Sequence, residues 1–250
     1  MADGIAVIGG SGGLGEAVVR RLASRAPILV GYRANRERAD ALVASLAAQG
    51  ANVRAVQLDI TVADSVAGFF REAAGFAGGV AHVISATGPA IPLCPLLEVT
   101  EADFRRIMDT DVLGTFNVLR HAIPLLRARG GGSITVFVTT AVLRTLENDG
   151  MSSVPKTAVA GLVKLAAREA GPHNVRCNAV APGVIDAGIV HSSFTVSEVA
   201  KQVIGNCLDR TPMPRMGRPE EVAALVDYLC SDAAAYVNGQ VIGIDGGYSA

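Results

Sequence analysis

The chain has 250 residues with a formal net charge of −1 from 22 basic and 23 acidic side chains, and 50% of its residues are hydrophobic. This length can bury the core of one α/β domain. Mixed charge near neutrality gives no electrostatic footprint for nucleic acid, and no apolar run is long enough to cross a bilayer. We therefore expect neither nucleic acid nor a membrane as a partner.

Short apolar runs, which predict strands, alternate with longer helical patterns along the chain. The strands are predicted at Gly4–Ile8, Ile28–Tyr32, Val53–Leu58, Val80–Ser85, Ser133–Thr139, Val175–Val180 and Gln240–Ile244. The helices are predicted at Gly13–Ser24, Arg36–Gln49, Asp64–Ala74, Glu101–Arg129, Lys156–Ala170 and Pro219–Leu229. This alternation predicts a single α/β domain, residues 1–250, with a doubly wound, Rossmann-type, seven-stranded parallel sheet.

The cysteines give no sign of a metal site. They lie far apart, with neither a CxxC pair nor metal-ligand spacing, at Cys94, Cys177, Cys207 and Cys230. Reduced thiols in a cytoplasmic protein are the expected state. The first residues, MADGIAVIGG, lack the features of a signal peptide.

A glycine-rich turn follows the first predicted strand and opens a helix. Its seven residues satisfy both G-x-G-x-x-G and G-x-x-x-G-x-G, and they are Gly9, Gly10, Ser11, Gly12, Gly13, Leu14 and Gly15. Glycines allow a tight turn and close approach of the backbone to a pyrophosphate, which the N-terminus of the helix then binds. The strand–turn–helix context favours a dinucleotide site over a purely structural turn.

The residues after the second predicted strand favour NADP(H) as cofactor. NAD-specific sites usually place an acid here to bind the ribose 2′-hydroxyl. This chain has Arg33 instead, and arginine can bind a 2′-phosphate through two hydrogen bonds. Arg36 and Arg38 also follow, but solvation of a helix start explains them equally well.

Further motifs extend these features over the whole chain. They are Asp59-Ile60, Ala86-Thr87-Gly88, Asn178–Gly183, Arg215–Glu220, Asn238-Gly-Gln and Asp245–Gly247. With the glycine-rich turn, they resemble the short-chain dehydrogenase/reductase family, and within it the 3-oxoacyl-ACP reductase type. The resemblance implies that Asp59 binds the adenine and Ile60 packs on it. It also implies that Ala86 and Gly88 belong to the cofactor site, and that Pro182, Gly183 and Val184 border the nicotinamide.

The same resemblance implies a catalytic set of asparagine, serine, tyrosine and lysine, of which this chain keeps one member. Lys156 matches the lysine, which also binds the nicotinamide ribose. The tyrosine position holds Ser152, the serine position Thr139 and the asparagine position Asp111. A serine hydroxyl is a much weaker acid than a phenol, whose pKa is about 10. We expect slow or no reduction of simple ketones and 3-oxoacyl thioesters, unless another acid serves the site.

Two carboxyl groups could be that acid. Asp111 either forms an ion pair with Lys156, the interpretation we favour, or acts as an acid/base. Asp149 lies three residues before Ser152, where it either replaces the missing acid or caps the following helix. Three functions remain open. They are an oxidoreductase acting on a carbonyl or alcohol, a catalytically silent subunit beside an active relative, and a redox-neutral lyase or dehydratase.

Residues 184–217, here called the flap, form a connection too long to be an ordinary loop and are predicted to cover the site. The flap carries His191 and few charges, and its apolar residues include Val184, Ile185, Ile189, Val190 and Phe194. That composition favours a small apolar or acyl-type substrate over a sugar phosphate. His191 could touch this substrate, although a lone histidine there is more often solvated.

The predicted long helices carry apolar residues on more than one face. One face would pack on the sheet and the second would need a partner. We expect a tetramer, either a homo-tetramer or a mixed oligomer with a related subunit. The apolar segment Val237–Tyr248 would supply a further contact.

Overall fold

The computed structural model describes residues 3–187 and 198–250. These residues form a parallel sheet of seven strands in the order β3-β2-β1-β4-β5-β6-β7. The strands are β1 (Gly4–Ile8), β2 (Ile28–Tyr32), β3 (Val53–Gln57), β4 (Val80–Ser85), β5 (Gly132–Phe137), β6 (Val175–Pro182) and β7 (Val241–Ile244). The predicted seven-stranded, doubly wound sheet is confirmed.

Helices cover both faces of the sheet. They are α1 (Gly13–Leu22), α2 (Arg36–Ala47), α3 (Ala63–Gly75), α4 (Glu101–Met108), α5 (Gly114–Arg129), α6 (Gly150–Ala170), α7 (Glu198–Asp209) and α8 (Pro219–Leu229). Alternate residues of β1 show the division: Ile5 and Val7 pack with α1, α2 and α8, whereas Ala6 and Ile8 pack with α3, α5 and α6. None of the helices in the described ranges is long and apolar enough to cross a membrane.

The order of strands reverses between β1 and β4, and this reversal positions the site. The chain runs outward through β2 and β3, and then returns to place β4 on the other side of β1. Loops that leave the carboxyl ends of β1 and β4 therefore separate and open a crevice, where ligands of doubly wound folds bind.

The predicted helix over Glu101–Arg129 is interrupted. A π-helical turn, Asp109–Leu113, separates α4 from α5 and contains the buried Asp111. The apolar spacing on each side of the turn is that of an α-helix, so the sequence pattern predicted one continuous helix. π-turns of this kind are frequently found at functional sites.

The predicted start of helix α6 at Lys156 is wrong, because the helix begins at Gly150. Gly150, Ser152 and Pro155 resemble a turn in sequence, but burial of Met151 and Pro155 keeps this stretch helical. Pro155 consequently lies inside the helix rather than in its first turn.

The flap contains the helix α7, which the sequence analysis did not predict. Its buried side chains, Ala200, Ile204 and Cys207, follow one another at steps of four and three residues, as on one helical face. A bridge between Ile185 and Gly217 joins the two ends of the flap. Ile189, Val190, His191 and Phe194 lie outside the described residues.

Candidate active site

A cavity of about 600 Å³ lies along the carboxyl ends of β1, β4, β5 and β6. Many of the predicted site residues form its wall, namely Gly13, Leu14, Ala86, Gly88, Asp111, Thr139, Ser152, Lys156, Pro182, Gly183 and Val184. The cavity therefore joins the predicted cofactor site and the predicted catalytic residues in one space.

The glycine-rich turn has the geometry of a phosphate-binding turn. Gly9 has a φ of +76°, in the left-handed region that favours glycine. A Cβ added at Gly15 would overlap the carbonyl oxygen of Gly9, so the start of α1 packs directly on the turn. Gly12 precedes α1, and no side chain caps the helix. The first N–H groups of α1 thus remain available for a phosphate, and the turn fits a dinucleotide.

The arginines at the opposite end of this site differ in their surroundings. Arg38 contributes to the cavity wall and pairs with Glu16 at 2.9 Å. Arg33 is exposed. Hydrogen bonding from the Thr61 hydroxyl, together with the charge of Arg33, lowers the pKa of Asp59 despite partial burial. The charges of Arg33 and Asp59 therefore interact.

Six predicted cofactor residues do not contribute to the described part of the cavity wall, namely Gly9, Ser11, Gly15, Arg33, Asp59 and Ile60. The Ile60 side chain is buried in the core, where it packs against Gly114 at the start of α5. Its carbonyl oxygen accepts a hydrogen bond of 2.9 Å from the Asn117 side chain. Ser11 is also buried, within the glycine-rich turn.

Lys156 is held at the cavity wall by two oxygen atoms. Its Nζ donates to the carbonyl oxygen of Thr87 at 2.9 Å and lies 3.0 Å from Oδ1 of Asp111. The Asp111 oxygen makes no well-directed hydrogen bond, so this contact is an ion pair. The ion pair expected from the sequence is present, and both partners are buried.

Thr139 retains a hydroxyl group at the site. It lies just beyond β5, and its Oγ1 accepts a hydrogen bond of 3.3 Å from the N–H of Ala141. Since the hydroxyl proton is not used in that contact, Thr139 can donate to a substrate oxygen in the cavity.

Asp149 also lines the cavity, close to Ser152. It holds the N-cap position of α6, yet its side chain accepts no capping hydrogen bond. The carboxyl group is buried, and the neighbouring Ser152 hydroxyl acts to lower its pKa. Burial raises the pKa of Asp149 to about 7, because the charged form loses its hydration. Because its side chain makes no capping hydrogen bond, Asp149 does not cap α6, which was one of the two roles that the sequence left open.

The remaining wall of the cavity is largely apolar. Its hydrophobic residues are Ile91, Leu93, Phe137, Val138, Leu146, Ile185, Val203 and Ile204. Cys207 of α7 lies among them, and burial raises the pKa of its thiol to about 11, so the thiol stays protonated near neutral pH.

Sequence reasoning missed several parts of this wall. Thr87 acts through a backbone carbonyl, which leaves no signal in the side-chain sequence. For Arg38 the sequence left open either a role at the cofactor or solvation of a helix start, and the structure places it in the cavity wall, paired with Glu16. The contribution of Val203, Ile204 and Cys207 follows from α7, whose apolar spacing was the available signal.

A family comparison agrees with this architecture. A protein-family model described as enoyl-(acyl carrier protein) reductase matches residues 9–249. A solved short-chain type dehydrogenase/reductase from Mycobacterium ulcerans superposes with a TM-score of 0.91 at 32% identity, covering 99% of this chain and 90% of that one. The chain belongs to the short-chain dehydrogenase/reductase family.

Curated members of the short-chain dehydrogenase/reductase family match over the full chain. The cis-4-hydroxycyclohexanecarboxylate dehydrogenase of Sinomonas cyclohexanicum is 34% identical, over 100% of this chain and 98% of the relative. A 3-oxoacyl-(acyl-carrier-protein) reductase of Aggregatibacter actinomycetemcomitans is 30% identical, over 99% of each. These relatives are oxidoreductases, and the family uses nicotinamide cofactors.

Proposed function

We propose that this chain is an NADP(H)-dependent oxidoreductase that interconverts a carbonyl and an alcohol on an apolar or acyl-type substrate. In this proposal it works without the tyrosine that the family resemblance implies. The observation that carries the proposal is the continuous cavity from the glycine-rich turn to Lys156, Thr139 and Ser152. The apolar wall of that cavity supports the proposed substrate class.

Different residues of the chain bind the cofactor and polarise the substrate. The glycine-rich turn and the start of α1 bind the pyrophosphate through backbone N–H groups. Lys156, fixed by Thr87 and Asp111, binds and orients the nicotinamide ribose. The Thr139 hydroxyl donates to the substrate oxygen and stabilises the negative charge that develops there. When bound, the nicotinamide supplies a hydride to the carbonyl carbon or accepts one from the alcohol.

The cofactor preference rests on the arginines after β2. We expect NADPH to bind more tightly than NADH, because Arg33 and Arg38 can pair with the 2′-phosphate. The chain also has no acidic residue at the end of β2, where NAD-specific sites bind the ribose 2′-hydroxyl. Arg33→Ala should weaken NADPH binding about tenfold or more while changing NADH binding little, since a charge-assisted hydrogen bond contributes about 1.5–3 kcal/mol. Titration calorimetry with both cofactors measures this.

Arg36→Ala is the matched control, because Arg36 is exposed and pairs with Asp40 at 3.4 Å. Equal affinity for the two cofactors, or no effect of either Arg33→Ala or Arg38→Ala, would contradict the proposed preference.

A silent subunit is the second candidate, and the Lys156–Asp111 ion pair favours it. A lysine that is neutralised by a neighbouring carboxylate serves the ribose less well. This candidate predicts that NADPH binds while no ketone is reduced. Titration calorimetry and an assay of NADPH oxidation with cyclohexanone and an acetoacetyl thioester, performed on the same preparation, separate the two candidates.

A further inference from the structure

The proposed function does not name the group that gives a proton to the substrate oxygen, because the Ser152 hydroxyl is a much weaker acid than a phenol. We propose that Asp149 supplies the proton to the substrate oxygen and that the Ser152 hydroxyl passes it on. This inference rests on the proposed reductase function and adds the group that completes its chemistry.

The placement of Asp149 is the first support. A carboxyl group at the N-cap of a helix normally accepts hydrogen bonds from the first N–H groups of that helix. Here the side chain makes no such bond, and only 7% of the residue is exposed. The carboxyl group instead belongs to the cavity wall, on the same helical segment as Ser152 and Lys156.

The proximity of Asp149 and Ser152 is the second support, because the Ser152 N–H donates to the backbone carbonyl oxygen of Asp149 at 3.1 Å. Both residues line the cavity from this one turn, so the carboxyl group and the hydroxyl face the same space. A hydroxyl can accept one proton while it donates another, so Ser152 can bridge the gap that a shorter side chain leaves. The raised pKa of about 7 means that a large fraction of Asp149 carries a proton near neutral pH.

Other ionisable groups on the cavity wall are less suited to this role. Lys156 and Asp111 pair with each other, and Arg38 pairs with Glu16. Cys207, which faces Asp149 from α7, has a pKa raised to about 11 and is a weak acid. Asp149 and Asp111 are the two carboxyl groups among the described residues of the wall, and of these Asp111 is the one that pairs with a cation.

The reduction balances with these groups. The carbonyl carbon gains a hydride from the reduced nicotinamide, the π bond of the carbonyl breaks, and its electron pair moves to oxygen. That oxygen takes the Ser152 proton while Ser152 takes the Asp149 proton. The products are the alcohol, the oxidised nicotinamide and the Asp149 carboxylate, which regains a proton from water. The reverse steps oxidise an alcohol.

The decisive variants are Asp149→Asn, Asp149→Glu and the control Glu147→Gln. Glu147 is exposed on the same loop and does not line the cavity. In NADPH-dependent reduction of cyclohexanone and an acetoacetyl thioester, Asp149→Asn should lower kcat about a hundred- to ten-thousandfold. Asp149→Glu should recover part of that loss, and Glu147→Gln should match the wild type.

Two readouts separate proton donation from a structural role. The wild-type kcat for reduction should fall as pH rises through about 7, because the acid loses its proton, and the residual rate of Asp149→Asn should lack this step. Infrared difference spectra, which need no substrate, should show a protonated carboxyl band that titrates near pH 7 in the wild type and in Glu147→Gln but is missing from Asp149→Asn.

The outcomes distinguish this inference from the proposed function. An active wild type with an equally active Asp149→Asn variant overturns the role of Asp149 and leaves the reductase function standing. A wild type that binds NADPH and reduces neither ketone overturns both. A carboxyl band that titrates near pH 4 also overturns the inference.

Discussion

At the scale of single residues, the described part of the cavity wall brings several polar groups together, and none of them is a phenol. Ser152 supplies a short hydroxyl, Asp149 a buried carboxyl group, and Lys156 a charge already shared with Asp111. Burial raises the pKa of Asp149, because an uncompensated carboxylate is costly away from water.

The burial of Asp149 also predicts how stability depends on pH. Its pKa is about 7 in the folded protein, against an ordinary value of 3.8. At a pH between these two values, the Asp149 carboxyl group is protonated in the folded state and ionised in the unfolded state. The free energy of unfolding should consequently fall as pH rises from about 4 to 7, by up to about 4 kcal/mol from this group.

Asp149→Asn should lose this dependence. Urea unfolding of both proteins at pH 5 and pH 8 should show the variant gaining stability, relative to the wild type, at the higher pH. The comparison between the two proteins removes the contribution of other titrating groups. A constant difference at both pH values, with Glu147→Gln as the control, would contradict the raised pKa.

At the scale of elements, two features that the sequence did not predict shape the site. The π-turn between α4 and α5 carries Asp111 to the cavity, and the early start of α6 carries Ser152 to the same wall as Lys156. Neither element is explained by local preference, since both are maintained by burial against the rest of the domain.

The turn between β1 and α1 allows a direct test of the cofactor site. Gly15→Ala should abolish detectable NADPH binding, because its Cβ would overlap the backbone of Gly9 and displace the N–H groups of α1. Gly68→Ala in α3 is the matched control, because its Cβ would meet nothing closer than 3.7 Å. The control should bind NADPH normally and gain up to about 1 kcal/mol of stability. Calorimetry and urea unfolding measure both effects, and normal NADPH binding by Gly15→Ala would refute this account of the turn.

At the scale of the whole molecule, α4, the π-helical turn, α5 and α6 leave apolar side chains on the surface. The exposed residues include Phe104, Leu113, Phe116, Val154 and Leu165. Other apolar residues of α5 and α6, such as Val118 and Val163, are buried in the core. One face of each helix therefore packs on the core while another apolar face stays exposed. Strand β7 also pairs with β6 alone among the described strands, which leaves an edge.

We expect these surfaces to assemble a tetramer, as the apolar pattern predicted. Phe116→Glu combined with Leu165→Glu should give a smaller species, because a buried unpaired charge disfavours association. Light scattering at micromolar concentration measures the mass of each protein. An Arg120→Glu variant, on the same helix α5 but exposed and polar already, serves as a control. A monomeric wild type would contradict the predicted assembly.

The sequence by itself determined the sheet and the position of the glycine-rich turn, and its family resemblance implied which side chains lie near Lys156. The sheet and the turn depend on periodicity and spacing, which are local properties of the chain. It also predicted the contact between Lys156 and Asp111, because opposite charges expected at one site tend to pair.

Only the tertiary structure decided how Asp149, Arg38 and α7 take part. Asp149 was a possible cap until its burial and its neighbour Ser152 were known, and Arg38 was a possible surface residue until its place in the cavity was known. These properties depend on which distant segments exclude water from a side chain. Desolvation is a property of the packed molecule, so no local pattern in the sequence can report it.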